Sequence, residues 1–295
     1  MDDRHLHALI AERHPLSSPA ALRCAEDYLA EQFRLLGLDV SAHPFKALGD
    51  TYRNVVATMR LQKGDSPHVE GGLSPAPLLI AAHYDTVLGS PGADDNASAL
   101  AVMLEAARCL REVTLSREVR FIAFCLEEEN LLGSLAYASW LRESKQEISG
   151  AIVLECVGYA RPEEGSQQKP SGVPIAVPSV GDFLAIVGNQ TSTGLVAAVE
   201  GAAKQHVSDL KTVSLIVPGN GEALPDTRRS DHAAFWHYGY PAVMLTDTAN
   251  FRNPHYHQPT DTIETLDLEF MDKVARAVTA AALELAGAEM KKSVQ

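Results

Sequence analysis

Apolar positions along the chain follow two rhythms. After Ser18 and Pro19, Leu22, Ala25, Leu29, Phe33 and Leu36 recur at three- and four-residue intervals, and Gly37 closes the run. This spacing predicts an amphipathic helix capped by Ser18, with proline in its first turn. Leu100, Leu104, Ala107 and Leu110 mark a second helical stripe within 98–113. Helices are also expected over Thr193–His206 and, rich in alanine, over 268–286. Between them lie short apolar runs at 54–59, 78–82, 119–125, 151–154, 183–187, 213–217 and 242–245. Near-continuous apolar runs of this length predict strands buried on both faces. Strands alternating with helices give an α/β protein: three layers, α/β/α, around a mixed, mostly parallel sheet.

Two stretches interrupt this pattern. Residues 63–76 are rich in glycine and proline and read as an exposed loop. Residues 159–182 form the longest loop-like stretch and begin just after Glu155, so they are expected to form the rim of an active site. No internal repeat or shift in composition divides the chain, which reads as one domain over 1–295.

Composition narrows the function. With 46% hydrophobic and 21% charged residues the chain can bury a large core. A net charge of −13 argues against nucleic acid as a partner, because such binding needs a basic surface. Cys24, Cys109, Cys125 and Cys156 are too scattered for a disulfide framework, and their apolar surroundings predict buried free thiols. The opening MDDRHLHALI lacks the apolar stretch of a secretory signal, and no apolar run reaches the ~18 residues of a membrane helix. The expectation is a soluble cytoplasmic protein with no membrane partner; oligomeric state has no signal in the sequence.

Candidate chemistry collects at the ends of the expected strands. LLIAA runs into His83 and Asp85, VRFIAFCL into Glu127–Glu128–Glu129, and AIVL into Glu155. Ligand sites of open α/β sheets lie at the carboxyl ends of their strands. Carboxylates gathered there either hold protons or surround a cation. GADDN (Asp94, Asp95), SDH (Ser230–His232) and HYH (His255–His257) add further candidates. Imidazole with carboxylate and no thiolate suits a catalytic zinc site. Three carboxylates (Asp95, Glu128, Glu155) and one hydroxide would balance two divalent ions. Taken singly, each motif also fits a hydrogen-bonded core histidine, a solvated helix start or a helix cap.

The ordered series AAHYDT, PGADDNASA, EEENLLGS, IVLECVG, RRSDHAAFW and NPHYHQPTDT resembles the zinc aminopeptidases of peptidase family M28. The resemblance implies two zinc ions per chain, held by His83, Asp95, Glu128, Glu155 and His257, with Asp95 bridging them. It implies Asp85 as the carboxylate that orients His83, Glu127 as general base, and Tyr256 as a phenol over the developing oxyanion. Asp94 is then a turn residue, Glu129 structural, His255 a neighbour, and Asp231–His232 a supporting pair at the floor. Glu155 departs from the Asp of many members. The peptide bond Asp95–Asn96 is expected to be cis.

The implied activity is release of N-terminal residues from a peptide substrate. Within the same superfamily a single-zinc glutaminyl cyclase is the alternative. A carboxypeptidase is another, with Arg161, Arg228 or Arg229 binding the substrate carboxylate, and a non-catalytic binding protein is a more distant one. A serine hydrolase is disfavoured by the lack of G-x-S-x-G, and no H-E-x-x-H, P-loop or dinucleotide fingerprint is present. The pocket is expected to be walled by 159–182 and 218–229.

Overall fold

The computed structural model describes residues 3–61 and 75–289. Eight strands form the main sheet: β1 Asp39–Ala47, β2 Asp50–Met59, β3 Leu78–His83, β4 Val119–Phe124, β5 Gly150–Glu155, β6 Phe183–Asn189, β7 Lys211–Val217 and β8 Ala242–Thr246. Their spatial order is β1-β2-β4-β3-β5-β8-β6-β7. The central strands β4, β3, β5 and β8 run parallel to one another, and β7 runs parallel to β6. Antiparallel pairings join β1 to β2, β2 to β4, and β8 to β6. The sheet is therefore mixed, with a parallel centre, as expected.

Side chains alternate across the sheet. Leu78, Ile80 and Ala82 of β3 face one core with helices α2 (Pro19–Leu35), α3 (Ala99–Leu110), α5 (Thr193–His206) and α7 (Leu268–Leu285). Leu79 and Ala81 face the other core with α4 (Leu132–Glu143) and α6 (His232–His237). This two-sided burial explains why the central strands read as unbroken apolar runs.

The local differences from the sequence reading have physical causes. A short helix α1 (Arg4–Leu9) precedes the first expected one and buries only Leu6 and Leu9, too few positions to show a period. Ser18 does precede α2, but its hydroxyl donates to Glu12 Oε1 at 3.0 Å instead of capping the helix. Strand β1 is not expected from the sequence; with no fully buried position and Pro44 in its middle, it lacks the apolar run of a central strand. Cys24 is exposed and Cys109 half-buried, so only Cys125 and Cys156 are the buried thiols expected of all four. Most of the expected 63–76 loop lies outside the described residues. The 159–182 stretch is not wholly irregular, since Arg161–Glu164 pairs with Val180–Gly181. Among the described residues, no helix is long and apolar enough to cross a membrane.

Candidate metal centre

Register brings the candidate residues to one edge. His83, last in β3, is level with Phe124, and Glu155, last in β5, is level with Thr246 of β8. The chain turns sharply after these strands. Leu126, just before Glu127, has φ 62°; Cys156, just after Glu155, has φ 47°; His257 itself has φ 59°. Non-glycine residues in this left-handed region are strained, and such strain gathers at functional sites.

The turn after β4 is built against its neighbours. Asn54 Nδ2 donates to the Gly133 carbonyl at 2.9 Å, and its Oδ1 accepts from Cys125 N at 3.0 Å. A Cβ on Gly133 would lie 2.1 Å from the Cys125 carbonyl oxygen, so the start of α4 can pack here only as glycine. The Asp85 carboxylate accepts from Glu127 N and Glu128 N, each at 3.1 Å. Asp85 thus aims both glutamates. Its part in orienting His83 differs from the expectation: His83 Nδ1 is 3.2 Å from the Asp85 main-chain oxygen and 3.6 Å from the carboxylate.

Asp95 sits in an irregular turn, Ala93–Ser98, that leads into α3. The Asp95–Asn96 bond is cis, as expected. The Asp261 carboxylate accepts from Asp94 N at 3.0 Å and Asp95 N at 3.2 Å. Asn96 bridges the Leu154 carbonyl and Cys156 N, tying the turn to the end of β5. Asp94 is more than a turn residue: its buried carboxylate accepts from Gly158 N at 2.8 Å and Asn253 Nδ2 at 2.7 Å.

All eight expected site residues lie in one region. Asp95 Oδ1 is 3.2 Å from His83 Nε2, and Oδ2 is 3.0 Å from His257 Nε2. Glu155 Oε2 lies 3.5 Å from His83 Nε2, Glu127 Oε2 lies 3.8 Å from it, and Glu128 Oε2 is 3.3 Å from His257 Nε2. Tyr256 stacks on His257 with ring centres 3.8 Å apart, and its hydroxyl accepts from Arg229 Nη2 at 3.3 Å. Ser230 donates to Glu155 Oε2 at 2.7 Å. Glu129 faces His14 at 3.6 Å, and His255 turns to Thr260 at 2.9 Å; both stand apart from the cluster, as expected.

The electrostatics of the cluster favour bound positive charge. Burial raises Glu127 well above the usual carboxylate range, with Glu155 and Glu128 adding to it and His83 opposing. Burial likewise pushes Glu128 up to about 8. Burial alone would lower His257, but Asp95 and Glu128 outweigh it and hold the imidazole up at about 10. The cluster thus takes up protons wherever no other cation balances it. His83 Nε2, both Asp95 carboxylate oxygens, Glu128 Oε1 and His257 Nε2 are buried without a well-formed hydrogen bond. Buried polar atoms normally have partners. Donors fall within 4.8 Å of one another in three sets: His83–Asp95–Glu155, Asp95–Glu128–His257 and His83–Glu127–Glu128. The first two share Asp95 and together use every expected ligand.

His232 plays a different part. Its Nε2 lies 2.8 Å from the Thr227 carbonyl, its ring meets Trp236 edge-on, and burial lowers its pKa to about 4. The unfolded chain binds a proton here below the ordinary 6.5, whereas the fold refuses it until about pH 4. Stability contributed by the neutral ring is therefore complete above pH ~6.5 and lost as pH falls toward 4. In EDTA, urea melts at pH 7 and 4.5 should show the wild type losing roughly 2 kcal/mol more than His232→Gln. Equal losses would remove His232 as the cause.

An apolar pocket opens beside the cluster. Glu155 and Tyr256 lie at its edge, Ala185, Val187, Leu215 and Met244 of the sheet form its floor, and Val173 and Ile175 cover it. Leu224, Asp226, Thr227 and Arg229 complete the wall. Both expected wall segments thus contribute. The sequence offers Ser230 only as part of SDH, with no role, and Asp261 only as the aspartate of NPHYHQPTDT; Arg13 carries no signal there.

Parallel strands deliver carboxylates and imidazoles to one sheet edge, where the ligand sites of open α/β sheets lie. Residues 54–282 match the model of peptidase family M28, and the chain belongs to that family. It is 33% identical over 281 residues to the uncharacterized protein YfbL of Escherichia coli, covering 90% of this chain and 81% of that one. The fold resembles BSAP, a zinc aminopeptidase from Bacillus subtilis (TM-score 0.59, 28% identity, 84% of this chain). This chain spans about half of BSAP, 53%. A glutaminyl cyclase from Porphyromonas gingivalis shares the fold (TM-score 0.67, 20% identity, 96% of this chain and 95% of the other).

Proposed function

We propose that the chain is a zinc aminopeptidase that uses two ions and releases apolar N-terminal residues from peptides. The observation that carries this reading is Asp95, whose two buried carboxylate oxygens each face a different imidazole nitrogen, without a well-formed hydrogen bond. One ion could sit on only one side of this carboxylate, so the two-sided arrangement favours two ions over a one-zinc cyclase. His83, Asp95 and Glu155 would hold one ion; Asp95, Glu128 and His257 would hold the other. An oxygen and nitrogen donor set without thiolate suits zinc. Zinc held there would supply Lewis acidity and lower the pKa of a nearby water.

The remaining steps belong to side chains. Glu127, held at its main chain by Asp85, takes the proton of the attacking water and passes it to the departing amine. Tyr256, packed on His257 and braced by Arg229, donates its hydroxyl proton in a hydrogen bond to the carbonyl oxygen as charge builds there. The substrate amine is drawn to the acidic edge at Glu155, and its side chain enters the apolar pocket. Residues 159–182 supply part of the pocket's rim.

Zinc analysis together with leucyl peptides tests the proposal. Two zinc ions per chain and cleavage of free peptides are expected. N-acetylation should abolish cleavage, whereas C-terminal amidation should leave it intact. Loss on amidation instead would support a carboxypeptidase, with Arg229 the cation nearest Tyr256. Ammonia release from a glutamine-initiated peptide, without cleavage, would support the cyclase. A metal-free, inert protein would support a binding role.

A further inference from the structure

We infer that Arg13 is a positioning residue for the proposed metal centre, a clamp holding the turn that enters Asp95 against the end of β3; the inference rests on the reading of that centre given above. Arg13 lies between α1 and α2 and is 1% exposed. Its Nε donates at 2.7 Å to the carbonyl of Tyr84, the residue between His83 and Asp85. On the other side Nη1 donates to the Pro91 carbonyl at 3.1 Å and Nη2 to the Gly92 carbonyl at 3.2 Å. Those two residues lead directly into Ala93–Ser98. The carbonyls of Leu9 and, at 2.8 Å, Ala11 share the two N–H groups of Nη1 with Pro91, which ties the guanidinium to its own segment. Arg13 N donates to Thr86 Oγ1 at 2.8 Å.

One planar group therefore spans two turns that carry donors to the centre. A rigid fork can fix their separation; a single flexible ammonium cannot. The fit is close. Gly92 has φ 63°, and a Cβ there would lie 2.9 Å from Arg13 Nη2 and 2.3 Å from the Asp95 carbonyl oxygen.

The choice of acceptors also matters. A buried arginine commonly pairs with a carboxylate, yet these hydrogen bonds end on main-chain carbonyls. Burial lowers the Arg13 pKa to about 10, with Asp85, Asp95, Asp261 and Glu128 acting against the fall, so the group is cationic at neutral pH. It adds positive charge near the acidic cluster without occupying the carboxylate oxygens that metal ions need. In the ion-free protein this offsets carboxylate repulsion; in the loaded protein the hydrogen-bonded geometry is what remains useful.

Arg13→Lys separates geometry from charge, because it keeps the cation and loses the fork. With saturating Co²⁺, its visible absorption bands should differ in position and intensity from those of the wild type. Zinc affinity, read by competition with a chromophoric chelator, should fall at least about tenfold. Arg13→Gln should show the same spectral change. Leu9→Ala, a destabilising change in the same segment, should leave the Co²⁺ spectrum as in the wild type. Unaltered spectra and affinity in both Arg13 variants would overturn the inference while leaving the metal centre standing. So would failure of both to fold while Leu9→Ala folds, since Arg13 would then be a general requirement of the fold. A wild type that binds neither ion would overturn the metal centre and the clamp together.

Discussion

Glu127→Gln is expected to lower kcat about a thousandfold, within the range found for removal of a general base, with both zinc ions still bound. The substitution keeps the shape of a buried side chain and removes its capacity to accept a proton. It leaves the main chain undisturbed, because Glu127 N is held by the Asp85 carboxylate 3.1 Å away. The metal donors stay in place, since Glu127 lies outside the two sets that share Asp95. KM for a leucyl substrate should change little, which places the loss in the transition state rather than in binding. Steady-state kinetics and zinc content from the same preparation check this. Full activity with metal retained would remove Glu127 as the base. Loss of an ion would instead point to the third donor set, His83–Glu127–Glu128, as a real one.

The parts of this site legible in the sequence are those where a side chain ends a buried strand. His83 and Glu155 each follow an apolar run, and strand register alone makes them neighbours of the β4 and β8 ends. Within EEENLLGS the resemblance assigns Glu127 and Glu128 by counting back from Gly133–Ser134, and the structure supplies a physical basis for that count. Gly133 must pack on the Cys125 main chain, so distance from that glycine fixes which glutamate occupies which place in the turn.

Other parts were hidden because their partners are not side chains. Arg13 is satisfied by carbonyls, which every residue carries, so no acidic partner in the sequence signals it. The Asp261 carboxylate likewise binds main-chain N–H groups of Asp94 and Asp95. Asp85 was recognised as a carboxylate that orients, but the objects it orients are chiefly two glutamate amides, a fact of turn geometry that spacing does not encode. In the fold, β1 escaped notice because an edge strand with mostly exposed residues lacks the apolar signature of a central one.

Asp95→Asn is expected to empty both metal positions, whereas His257→Ala is expected to empty only one. Asp95 is the shared member of the two donor sets, with one oxygen toward His83 and the other toward His257. The amide keeps the size of the side chain but offers one neutral oxygen and an NH₂ group that repels a cation. Each position thereby loses a charged ligand at once, and activity should disappear with the ions. The turn itself should persist, because Asp261 holds residue 95 through its main-chain N–H and Asn96 ties the turn to Leu154 and Cys156. His257→Ala spares the His83–Asp95–Glu155 set, so about one zinc should remain. Metal content after gel filtration, with circular dichroism to check the fold, compares the two variants. Two ions retained in Asp95→Asn would overturn the shared ligand. One ion retained would assign Asp95 to a single position, and the two-ion reading would then have to rest on Glu128 and Glu155 serving separate ions without a common carboxylate.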